Sequence, residues 1–577
     1  MNDADQARQW IAHDPDERDR AELAAIVESA GGGDAHAQAE LADRMGSRLV
    51  FGTAGLRGAI GAGPNRMNTA VVTTATVGLS AVLREDCGDG FLVVIGYDAR
   101  HRSEEFARTA AGVLVAAGGR VALLPHQTPT PVLAFAVQHL GADAGIMITA
   151  SHNPPADNGY KVYLGGRMVG ASERGAQLVS PTDARVMAAI VAAGWADGVP
   201  NADEGWIVLG DEIEDAYAAA AAELLARLAI RTGERADLAG LRVVLTAMHG
   251  VGARLASRVL RAAGVSDLLL VAGQRDPDPD FPTVPFPNPE EPGALDMAID
   301  LARRTQADLV VALDPDADRC SVAVPDATVE TGWRQLSGDQ LGAVLGEYFA
   351  IAYAGDSAAV LARSIVSSSL LERIAGRHGV GSAQTLTGFK WITRAAGIVY
   401  GYEEAIGYCL NPEVVRDKDG ITAALIACQL AASGKLAGRS LLDTLDDLAV
   451  EHGLYATAPL SFRVADRALI TAALATLAAD PPKLLAGAPV IDFVDLGAGY
   501  LGLAPTEGYR FETDRGDRVV VRPSGTEPKL KCYLEVVTPV PDRAGLPVAK
   551  ADAEARLAQI KAELNDLLGL SQTRVLR

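Results

Sequence analysis

Three stretches of the chain repeat the same pattern of apolar and polar positions. In the first, an apolar run at 91–95 precedes helical spacing over 106–117 and a second apolar run at 121–124. The pattern recurs over 241–271 and, with weaker spacing, over 358–379. A strand–helix–strand unit of this length pairs its strands in parallel through a right-handed crossover. The repeats therefore predict an α/β protein with three mixed α/β domains of similar build.

The two ends of the chain differ from this pattern. Residues 4–30 are predicted to be helical, and glycines at 31–33 separate them from a second helix. The last part combines helices with short β-rich runs, predicted near 441–450, 466–478, 518–521, 529–537 and 551–568. This mixture predicts a separate C-terminal α+β domain. The predicted domains are 1–206, 207–325, 326–445 and 446–577.

Two segments interrupt the predicted elements. Asp276–Pro289 contains so many prolines that it excludes regular structure, and we interpret it as a rigid surface excursion. The sequence Gly497-Ala-Gly-Tyr-Leu-Gly502 has the spacing of a dinucleotide-binding glycine loop. Pro505 follows where such a fold needs a long helix, so we interpret the glycines as a turn.

Composition narrows the class of protein. At 577 residues, the chain is too long for one core, and a formal charge of −21 argues against nonspecific nucleic-acid binding. Its five cysteines form no CxxC pair, so neither a disulfide framework nor a structural zinc site is expected. The polar start is unlike a signal peptide, and no apolar run approaches the ~18 residues of a membrane span. We expect a cytoplasmic protein with neither nucleic acid nor a membrane as partner.

A serine loop follows one of the apolar runs. The run Ala144–Ile148 leads into Thr149-Ala-Ser-His-Asn-Pro154. The prolines exclude both helix and central strand just beyond Ser151, so this serine should lie in a loop at the carboxyl end of a strand, where open α/β sheets bind ligands. A serine hydroxyl is a weak nucleophile unless a base or cation activates it, and His152 and Lys161 lie close in sequence. Ser151 is a candidate nucleophile; an ordinary turn serine is the alternative for this motif alone.

Three carboxylates follow another apolar run. Leu309–Leu313 is followed by Asp314, Asp316 and Asp318, which can surround one cation if the turn is extended. Oxygen-only ligands suit a hard ion such as Mg²⁺. The spacing does not fit an EF-hand, which needs glycine at the sixth position of its loop. A solvated acidic loop and a phosphatase-like nucleophile at Asp314 remain the alternatives.

Three other loops carry candidate binding residues. In Arg522-Pro-Ser-Gly-Thr526, small hydroxyl residues beside glycine expose backbone N–H groups, and the arginine adds a two-pronged donor for a phosphate that does not react. The adjacent carboxylates of Glu403 and Glu404 can accept hydrogen bonds from sugar hydroxyls. Phe51–Gly58 presents Arg57 on a glycine-rich loop. Each of these motifs alone is also compatible with an ordinary surface turn.

Taken together, the motifs resemble one family, the α-D-phosphohexomutases, which include phosphoglucomutase and phosphomannomutase. The family's serine, metal, sugar and phosphate motifs correspond here to 149–154, 314–319, 403–404 and 522–528, in that order and one in each predicted domain. The resemblance implies a four-domain α/β architecture arranged around a central cleft, with three similar domains and a C-terminal α+β domain.

The resemblance also implies roles for individual residues. It implies a phosphoserine at Ser151 and Mg²⁺ bound by Asp314, Asp316 and Asp318 together with Ser151. The remaining residues would assist phosphoryl transfer and proton movement (Arg57, His152, Lys161, Arg319, Lys418), bind the sugar (Thr387, Gly388, Glu403, Glu404), or bind the phosphate (Arg522, Ser524, Gly525, Thr526, Lys531). The lysines could carry protons if cationic neighbours and partial burial lower their pKa.

The expected activity is that of a phosphosugar mutase, an intramolecular phosphotransferase. It would interconvert hexose 1-phosphate and 6-phosphate, with glucose and mannose as candidate sugars, through a bisphosphorylated intermediate. A sugar bisphosphate such as glucose 1,6-bisphosphate would be its activator, and the protein would be a monomer or a small homo-oligomer.

One residue departs from the pattern of glucose-directed members. They commonly carry serine after the two glutamates, whereas this chain has Ala405, as in the phosphopentomutase-like branch. The missing hydroxyl removes one hydrogen bond, worth about 0.5–1.5 kcal/mol. A phosphopentomutase acting on ribose or deoxyribose 1-phosphate is therefore the main alternative. More distant ones are an aspartyl-phosphate phosphatase or mutase and a non-catalytic sugar-phosphate binder.

Overall fold

The computed structural model of the chain describes residues 2–52, 55–464, 466–524 and 529–570. Its contacts divide the chain into two units. The first consists of Met1–Gln335 and Gly407–Ser433, and the second of Leu336–Ile406 and Gly434–Arg577.

Three helices precede the first sheet. They are α1 (Asp3–His13), α2 (Glu17–Gly31) and α3 (Ala35–Met45). The helical stretch predicted over 4–30 is thus two helices, because Pro15 interrupts it. Asp16 begins the second of them, since its side chain accepts a hydrogen bond from the backbone N–H of Arg18 at 2.9 Å.

The first sheet is mixed and has seven strands. Its elements are β1 (Leu56–Ala59), α4 (Thr69–Cys87), β2 (Leu92–Tyr97), α5 (Ser103–Ala116), β3 (Arg120–Leu123), α6 (Thr130–His139), β4 (Ala144–Ile148), β5 (Asp157–Leu164), β6 (Ala176–Gln177), α7 (Thr182–Ala192) and β7 (Ile207–Val208). The strand order is β1-β5-β4-β2-β3-β7, and β6 pairs with β5. β2 pairs in parallel with β3 and β4, as the first repeat predicted, whereas β4 and β5 are antiparallel.

The second sheet repeats this arrangement with five strands. Its elements are α8 (Glu212–Thr232), β8 (Arg242–Thr246), α9 (Gly252–Ala262), β9 (Asp267–Leu270), α10 (Asp296–Thr305), β10 (Leu309–Leu313), β11 (Cys320–Pro325) and β12 (Trp333–Gln335). The order is β12-β11-β10-β8-β9. β8 pairs in parallel with β9 and β10, and β10 pairs antiparallel with β11. The second predicted repeat is confirmed.

The third repeat is also confirmed. Its elements are α11 (Gly338–Ala352), β13 (Val360–Ser364), α12 (Leu370–His378), β14 (Gly381–Thr385), α13 (Phe389–Ile392), β15 (Ile398–Glu403), β16 (Gly407–Cys409) and α14 (Gly420–Leu436). In the second unit, β13 pairs in parallel with both β14 and β15.

The C-terminal part has a different topology. Its elements are α15 (Leu441–His452), β17 (Leu454–Arg463), α16 (Arg467–Ala479), β18 (Leu484–Leu485), β19 (Ala488–Asp495), β20 (Tyr509–Thr513), β21 (Arg518–Pro523), β22 (Lys529–Thr538) and α17 (Leu546–Leu568). Its strands are antiparallel in the order β17-β22-β21-β20-β19-β18. The predicted α+β structure of this part is confirmed. No helix lies between the glycines at 497–502 and β20, which agrees with the interpretation of these glycines as a turn.

The three repeats place three sequence motifs at equivalent points. Each motif follows the third strand of its repeat: Ser151 comes after β4, Asp314 after β10, and Glu404 after β15. In the first two sheets the chain then reverses into an antiparallel strand, so the motif occupies a tight connection at the carboxyl edge. Parallel strands end at the same edge of a sheet, and ligands of such sheets bind there.

The structure also bears on the proline-rich segment and on the prediction that no helix spans a membrane. The segment Asp276–Pro289 contains no helix or strand, as predicted, but it is not wholly a surface excursion, because Phe281 and Val284 are buried in the core of the second sheet. Within the described residues, no single helix is long and apolar enough to cross a membrane; α14 and α15 pass that test only when taken together.

Two helical glycines provide a test of the packing. A Cβ atom on Gly342 of α11 would lie 2.4 Å from Cδ2 of Tyr402, whereas a Cβ on Gly376 of α12 would have no neighbour within 4 Å. The Tyr402 ring cannot easily move, since its hydroxyl is buried and donates to Oδ1 of Asp339 at 3.0 Å.

Gly342→Ala should therefore lower the free energy of unfolding by about 1–3 kcal/mol through overpacking. Gly376→Ala should raise it by up to about 1 kcal/mol, because alanine favours the helix. Chemical unfolding of the two variants measures both changes. Equal effects of the two substitutions would contradict the packing of α11 on β15.

Candidate active site

Ser151 lies in the short connection between β4 and β5, which we call the nucleophile loop (149–156). Its backbone φ is +52°, a region that non-glycine residues rarely adopt. The backbone N–H of Ser151 donates to Oγ1 of Thr149 at 2.9 Å. Its side-chain Oγ donates to Oδ2 of Asp314 at 2.8 Å, and only 3% of the residue is exposed. The strained backbone thus aims the hydroxyl at the carboxylates that follow β10.

The three carboxylates of the β10–β11 connection are fully buried. Asp314, Asp316 and Asp318 each have 0% exposure, and one oxygen from each lies within 4.8 Å of the others. This excludes the solvated acidic loop that the sequence left open. We call these residues the carboxylate triad.

Lysines from two other segments neutralise the triad. Lys161 of β5 places Nζ 2.8 Å from Oδ2 of Asp316 and 3.0 Å from Oδ2 of Asp318. Lys418 places Nζ 3.1 Å from the same oxygen of Asp318. Burial alone would raise the pKa of Asp318, but Lys161, Lys418 and Arg319 together hold it below its ordinary value. Burial and the two neighbouring carboxylates instead raise the pKa of Asp314 well above its ordinary value.

The pKa of Lys161 is shifted in the direction opposite to the one that proton transfer by this lysine needs. Proton transfer by Lys161 would require a lowered pKa. Burial does act in that direction, but Asp316 and Asp318 outweigh it, and the pKa of Lys161 is raised. The condition for proton transfer by Lys161, a lowered pKa, is therefore not met in this structure.

The triad has free capacity for a cation. Oδ1 of Asp316 and Oδ1 of Asp318 are buried, and neither has a hydrogen-bond partner among the residues that the structure describes. Buried carboxylate oxygens are costly unless they are hydrogen-bonded or bind a metal. Three oxygen donors with open positions suit Mg²⁺, so the residues present fit this ion.

His152 and Arg319 meet beside the nucleophile. Nη1 of Arg319 donates to Nδ1 of His152 at 2.6 Å, and the same Nδ1 lies 3.4 Å from Oγ of Ser151. Burial, then Arg319 and Arg57, lower the pKa of His152 well below its ordinary value. The imidazole is therefore neutral at physiological pH, and its Nδ1, which accepts the hydrogen bond from Arg319, carries no proton.

Arg57 and Lys418 are held by residues from other strands. Nη1 of Arg57, on β1, donates to Oδ1 of Asn153 in the nucleophile loop at 2.9 Å. Asp417, which precedes Lys418, accepts hydrogen bonds from the Tyr163 hydroxyl at 2.6 Å and from Nε2 of Gln177 at 2.7 Å. The first unit thus brings all the predicted catalytic and metal residues into one network.

The predicted sugar residues belong to the second unit. Glu404 follows β15, and its Oε2 accepts hydrogen bonds from the hydroxyls of Ser364 at 3.2 Å and Ser367 at 2.8 Å. Burial, Glu403 and then Asp339 raise the pKa of Glu404 to about 7.

Thr387 and Gly388, also predicted to bind the sugar, follow β14. They form the bend before α13, and Gly388 needs its glycine because its φ is +104°. Since β13 separates β14 from β15, the two candidate sugar segments follow different strands of one parallel set.

The predicted phosphate residues lie at one end of the C-terminal sheet. Arg522 on β21 is directly opposite Lys531 on β22, and the backbone N–H of Ser524 donates to the carbonyl of Lys529 at 2.8 Å. Arginine and lysine side chains are the donors that proteins use to bind phosphate. The predicted phosphate ligands Gly525 and Thr526 lie outside the described residues.

Sequence reasoning missed two side chains that hold the site. Thr130 donates its hydroxyl to Oδ2 of Asp316 at 2.7 Å, and Arg100 donates to the backbone carbonyl of Ser151 at 2.6 Å. Arg100 follows β2, which pairs in parallel with β4. A charged residue just after this buried strand could therefore have been predicted to lie near Ser151. Thr130 offered no such signal, because it begins a helix in a segment that carried no motif.

The raised pKa of Glu404 predicts a pH-dependent stability. Its ordinary pKa is 4.5, and the folded protein raises it to about 7, so the folded state binds the proton more tightly than the unfolded chain. The resulting stabilisation is present below about pH 4.5 and is lost as the pH rises through about 7. Glu404→Gln removes this titration, so its melting temperature relative to wild type should rise between about pH 5 and pH 8.

The exposed Glu28 supplies the control, because Glu28→Gln changes no buried carboxyl. Thermal unfolding at several pH values measures the trend. A constant difference between Glu404→Gln and wild type across this range would contradict the raised pKa.

Comparison with known proteins identifies the family. The chain matches all four domains described for phosphoglucomutase/phosphomannomutase: α/β/α domain I over 48–183, domain II over 215–328, domain III over 337–451 and the C-terminal domain over 460–541. The predicted domain boundaries themselves stay predictions.

Related proteins cover most of the chain. A Haemophilus influenzae protein described as a probable phosphomannomutase is 42% identical over 85% of this chain and 97% of its own. Human phosphopentomutase is 34% identical over 92% of this chain and 89% of its own. The crystal structure of a phosphoglucomutase/phosphomannomutase family protein from Burkholderia thailandensis shares the fold, with a TM-score of 0.67, 20% identity, and coverage of 91% of this chain and 99% of its own.

These matches agree with the topology and with the motifs. Mg²⁺ is the metal of this family, and the carboxylate triad could hold it. The chain belongs to the phosphoglucomutase/phosphomannomutase family, the α-D-phosphohexomutases, and is a phosphosugar mutase, an isomerase that transfers a phosphoryl group.

Proposed function

We propose that the protein interconverts hexose 1-phosphates and hexose 6-phosphates through a phosphoserine at Ser151. Glucose and mannose are the proposed hexoses, and the 42% identical relative described as a probable phosphomannomutase supports this class. The observation that carries the mechanism is the strained, buried Ser151, whose Oγ lies 2.8 Å from the carboxylate triad. Around it lie Lys161, His152 and Arg319, the kinds of group that phosphoryl transfer requires.

The proposed reaction has two transfers. In the first, the bond between phosphorus and Oγ of Ser151 breaks, and a bond forms from phosphorus to the free hydroxyl oxygen of the sugar phosphate. The hydroxyl proton leaves to a protein base, and the serine oxygen takes up a proton after the transfer. The sugar bisphosphate then turns over, and its other phosphoryl group returns to Ser151 by the reverse process. Protons and phosphoryl groups balance over the cycle.

Residues of the first unit would assist each transfer. His152 would assist proton movement from beside the nucleophile, since its imidazole is neutral and Nδ1 lies 3.4 Å from Oγ of Ser151. Arg319 and Lys161 would stabilise the charge of the moving phosphoryl group. Asp314, Asp316, Asp318 and Ser151 would hold Mg²⁺, which when bound neutralises charge on phosphate oxygens. Arg57 would orient the nucleophile loop through Asn153.

Residues of the second unit would bind the rest of the substrate. Arg522 and Lys531, facing each other on β21 and β22, would bind the phosphate that does not react, together with Ser524, Gly525 and Thr526. Glu403 and Glu404 would accept hydrogen bonds from sugar hydroxyls, and Thr387 and Gly388 would line the same ligand.

A sugar bisphosphate such as glucose 1,6-bisphosphate would recharge Ser151 after loss of its phosphoryl group. In this proposal the protein is cytoplasmic and acts as a monomer or a small homo-oligomer.

Phosphopentomutase is the second candidate activity. Ala405 follows the two glutamates, and human phosphopentomutase is 34% identical over 92% of this chain. A pentose 5-phosphate has one carbon fewer than a hexose 6-phosphate between C1 and the terminal carbon that carries the phosphate, but both reactions use the same serine chemistry. The two candidates therefore differ in the sugar and not in the nucleophile.

Replacing the nucleophile tests the mechanism. Ser151→Ala should lower turnover by at least roughly three orders of magnitude, as loss of a covalent nucleophile does. It should cost about 1 kcal/mol of stability, since it removes a buried hydrogen bond to Asp314. Thr130→Val is a matched control, because it also removes one hydrogen bond from the triad but leaves the serine.

A sugar bisphosphate should stimulate wild type but should not rescue Ser151→Ala. Activity of Ser151→Ala within about tenfold of wild type, a 1.4 kcal/mol effect, would refute the phosphoserine mechanism. Peptide mapping of the phosphate would then examine Asp314 as the nucleophile.

A turnover panel with glucose, mannose and ribose 1-phosphates separates the two candidate activities. The proposed function predicts a kcat/KM for a hexose phosphate at least about tenfold above that for ribose 1-phosphate, or 1.4 kcal/mol. Ala405→Ser should shift the ratio of glucose to ribose upward by about 2- to 10-fold, since it restores one hydrogen bond. A higher kcat/KM for ribose 1-phosphate in wild type would assign the protein as a phosphopentomutase.

A further inference from the structure

The proline-rich segment Asp276–Pro289 has no role in the mechanism described above, yet it is firmly held. We call it the strap. At its base, the backbone N–H of Asp278 donates to the carbonyl of His249 at 2.9 Å. The His249 ring lies 2.8 Å from the hydroxyl of Thr283, and that hydroxyl also accepts from Nε2 of Gln274 at 2.9 Å. The strap is therefore fixed to the second sheet.

Phe281 is the unusual residue of the strap. Its φ is +46°, although phenylalanine rarely adopts this region, and the residue is 3% exposed. Strain of this kind persists only where the surroundings determine the conformation. The result is that an aromatic ring, rather than a proline or a polar side chain, is directed inward.

The ring of Phe281 covers Arg100, which belongs to the first sheet. The guanidinium carbon of Arg100 lies 5.0 Å from the centre of the ring, within cation–π distance. The neighbouring residues also meet, since Nε2 of His101 lies 2.7 Å from Oδ1 of Asp280. The strap thus joins the second sheet to the segment that follows β2.

Arg100 in turn holds the nucleophile loop. Its Nη2 donates to the carbonyls of Ser151 and Asn153, both at 2.6 Å. Its Nη1 donates to the carbonyls of Pro154 at 2.8 Å and Asp157 at 3.1 Å. One planar side chain, 3% exposed, therefore binds three backbone carbonyls of the loop and that of Asp157, the first residue of β5.

We propose that the strap is a built-in support of the nucleophile, with Arg100 and Phe281 as positioning residues of Ser151. The proposal rests on the proposed function of Ser151 as the phosphoryl carrier. The ring fixes the plane of the guanidinium, Asp98 lies 3.4 Å from its Nε, and the four hydrogen bonds fix the loop backbone. The strained Ser151 backbone is thereby held with its Oγ toward the carboxylate triad.

The substitutions Arg100→Lys and Phe281→Leu test the proposal, singly and together. Lysine keeps the charge but cannot reproduce the planar fork, and leucine keeps an apolar side chain but removes the ring face. Phe286→Leu is the matched control, because Phe286 lies in the same strap but is 41% exposed. Each variant is checked for folding by circular dichroism before its kinetics are measured.

Arg100→Lys should lower kcat by about 10- to 100-fold with KM for the sugar phosphate within about twofold, as displacement of a reacting group does. Phe281→Leu should lower kcat by about 3- to 10-fold, again with KM nearly unchanged. Since the two residues act as one unit, the double variant should be within about twofold of Arg100→Lys alone. The control Phe286→Leu should retain wild-type kcat.

Two results would overturn the proposal. The first is that the effects of Arg100→Lys and Phe281→Leu on kcat multiply, because Phe281 would then act only as part of the second sheet's core. The second is that Phe281→Leu leaves kcat within about twofold of wild type.

Hydrogen–deuterium exchange separates this proposal from the proposed function. Exchange of the amides at 150–158 should increase in both single variants and stay unchanged in Phe286→Leu, whether or not Ser151 is the nucleophile. Unchanged exchange in Phe281→Leu would overturn the strap proposal. Full activity of Ser151→Ala with increased exchange in Phe281→Leu would refute the nucleophile and, with it, the positioning role, while leaving the physical contact intact.

Discussion

The first unit depends on the charge of three fully buried carboxylates. Asp314, Asp316 and Asp318 would repel one another strongly in a buried site, so the fold must supply cations to them. Two of these cations come from distant segments: Lys161 lies on β5, and Lys418 lies in 407–433. The Lys418 contact is one of the interactions that join this short segment to the first unit, although the sequence before and after it belongs to the second.

The architecture could be predicted because the patterns that indicate it lie within short segments of the sequence. Apolar periodicity and glycine stops mark the three strand–helix–strand repeats, and an abrupt change from apolar to polar residues marks each motif. Parallel pairing then places Ser151 after β4 and Asp314 after β10 at equivalent edges. The amino-terminal helices differ from the prediction mainly at Pro15, which divides the predicted helix into two. The composition of 4–30 is helical on both sides of this proline, so the break was not predicted.

The properties that the sequence did not predict depend on contacts between distant residues. Phe281 and Arg100 are far apart in the chain, and the prolines around Phe281 indicate only that the strap is irregular. The sign of a pKa shift is equally non-local. Burial would lower the pKa of Lys161, but two carboxylates from the other sheet reverse this effect. The sequence around Ser151 does not show whether burial or the attraction of the carboxylates has the larger effect on the pKa of Lys161.

The two ends of one strand pair in the C-terminal sheet carry different pairs of charged residues. At one end, Arg518 of β21 is opposite Glu535 of β22, their side chains lie 3.1 Å apart, and both are buried. Arg518 also donates to the carbonyl of Ser367 at 2.6 Å, so this pair binds the segment that supports Glu404. At the other end, Arg522 faces Lys531, a pair of like charge. Because the same two strands carry both pairs, the stabilising pair holds in place the end at which a phosphate would be bound.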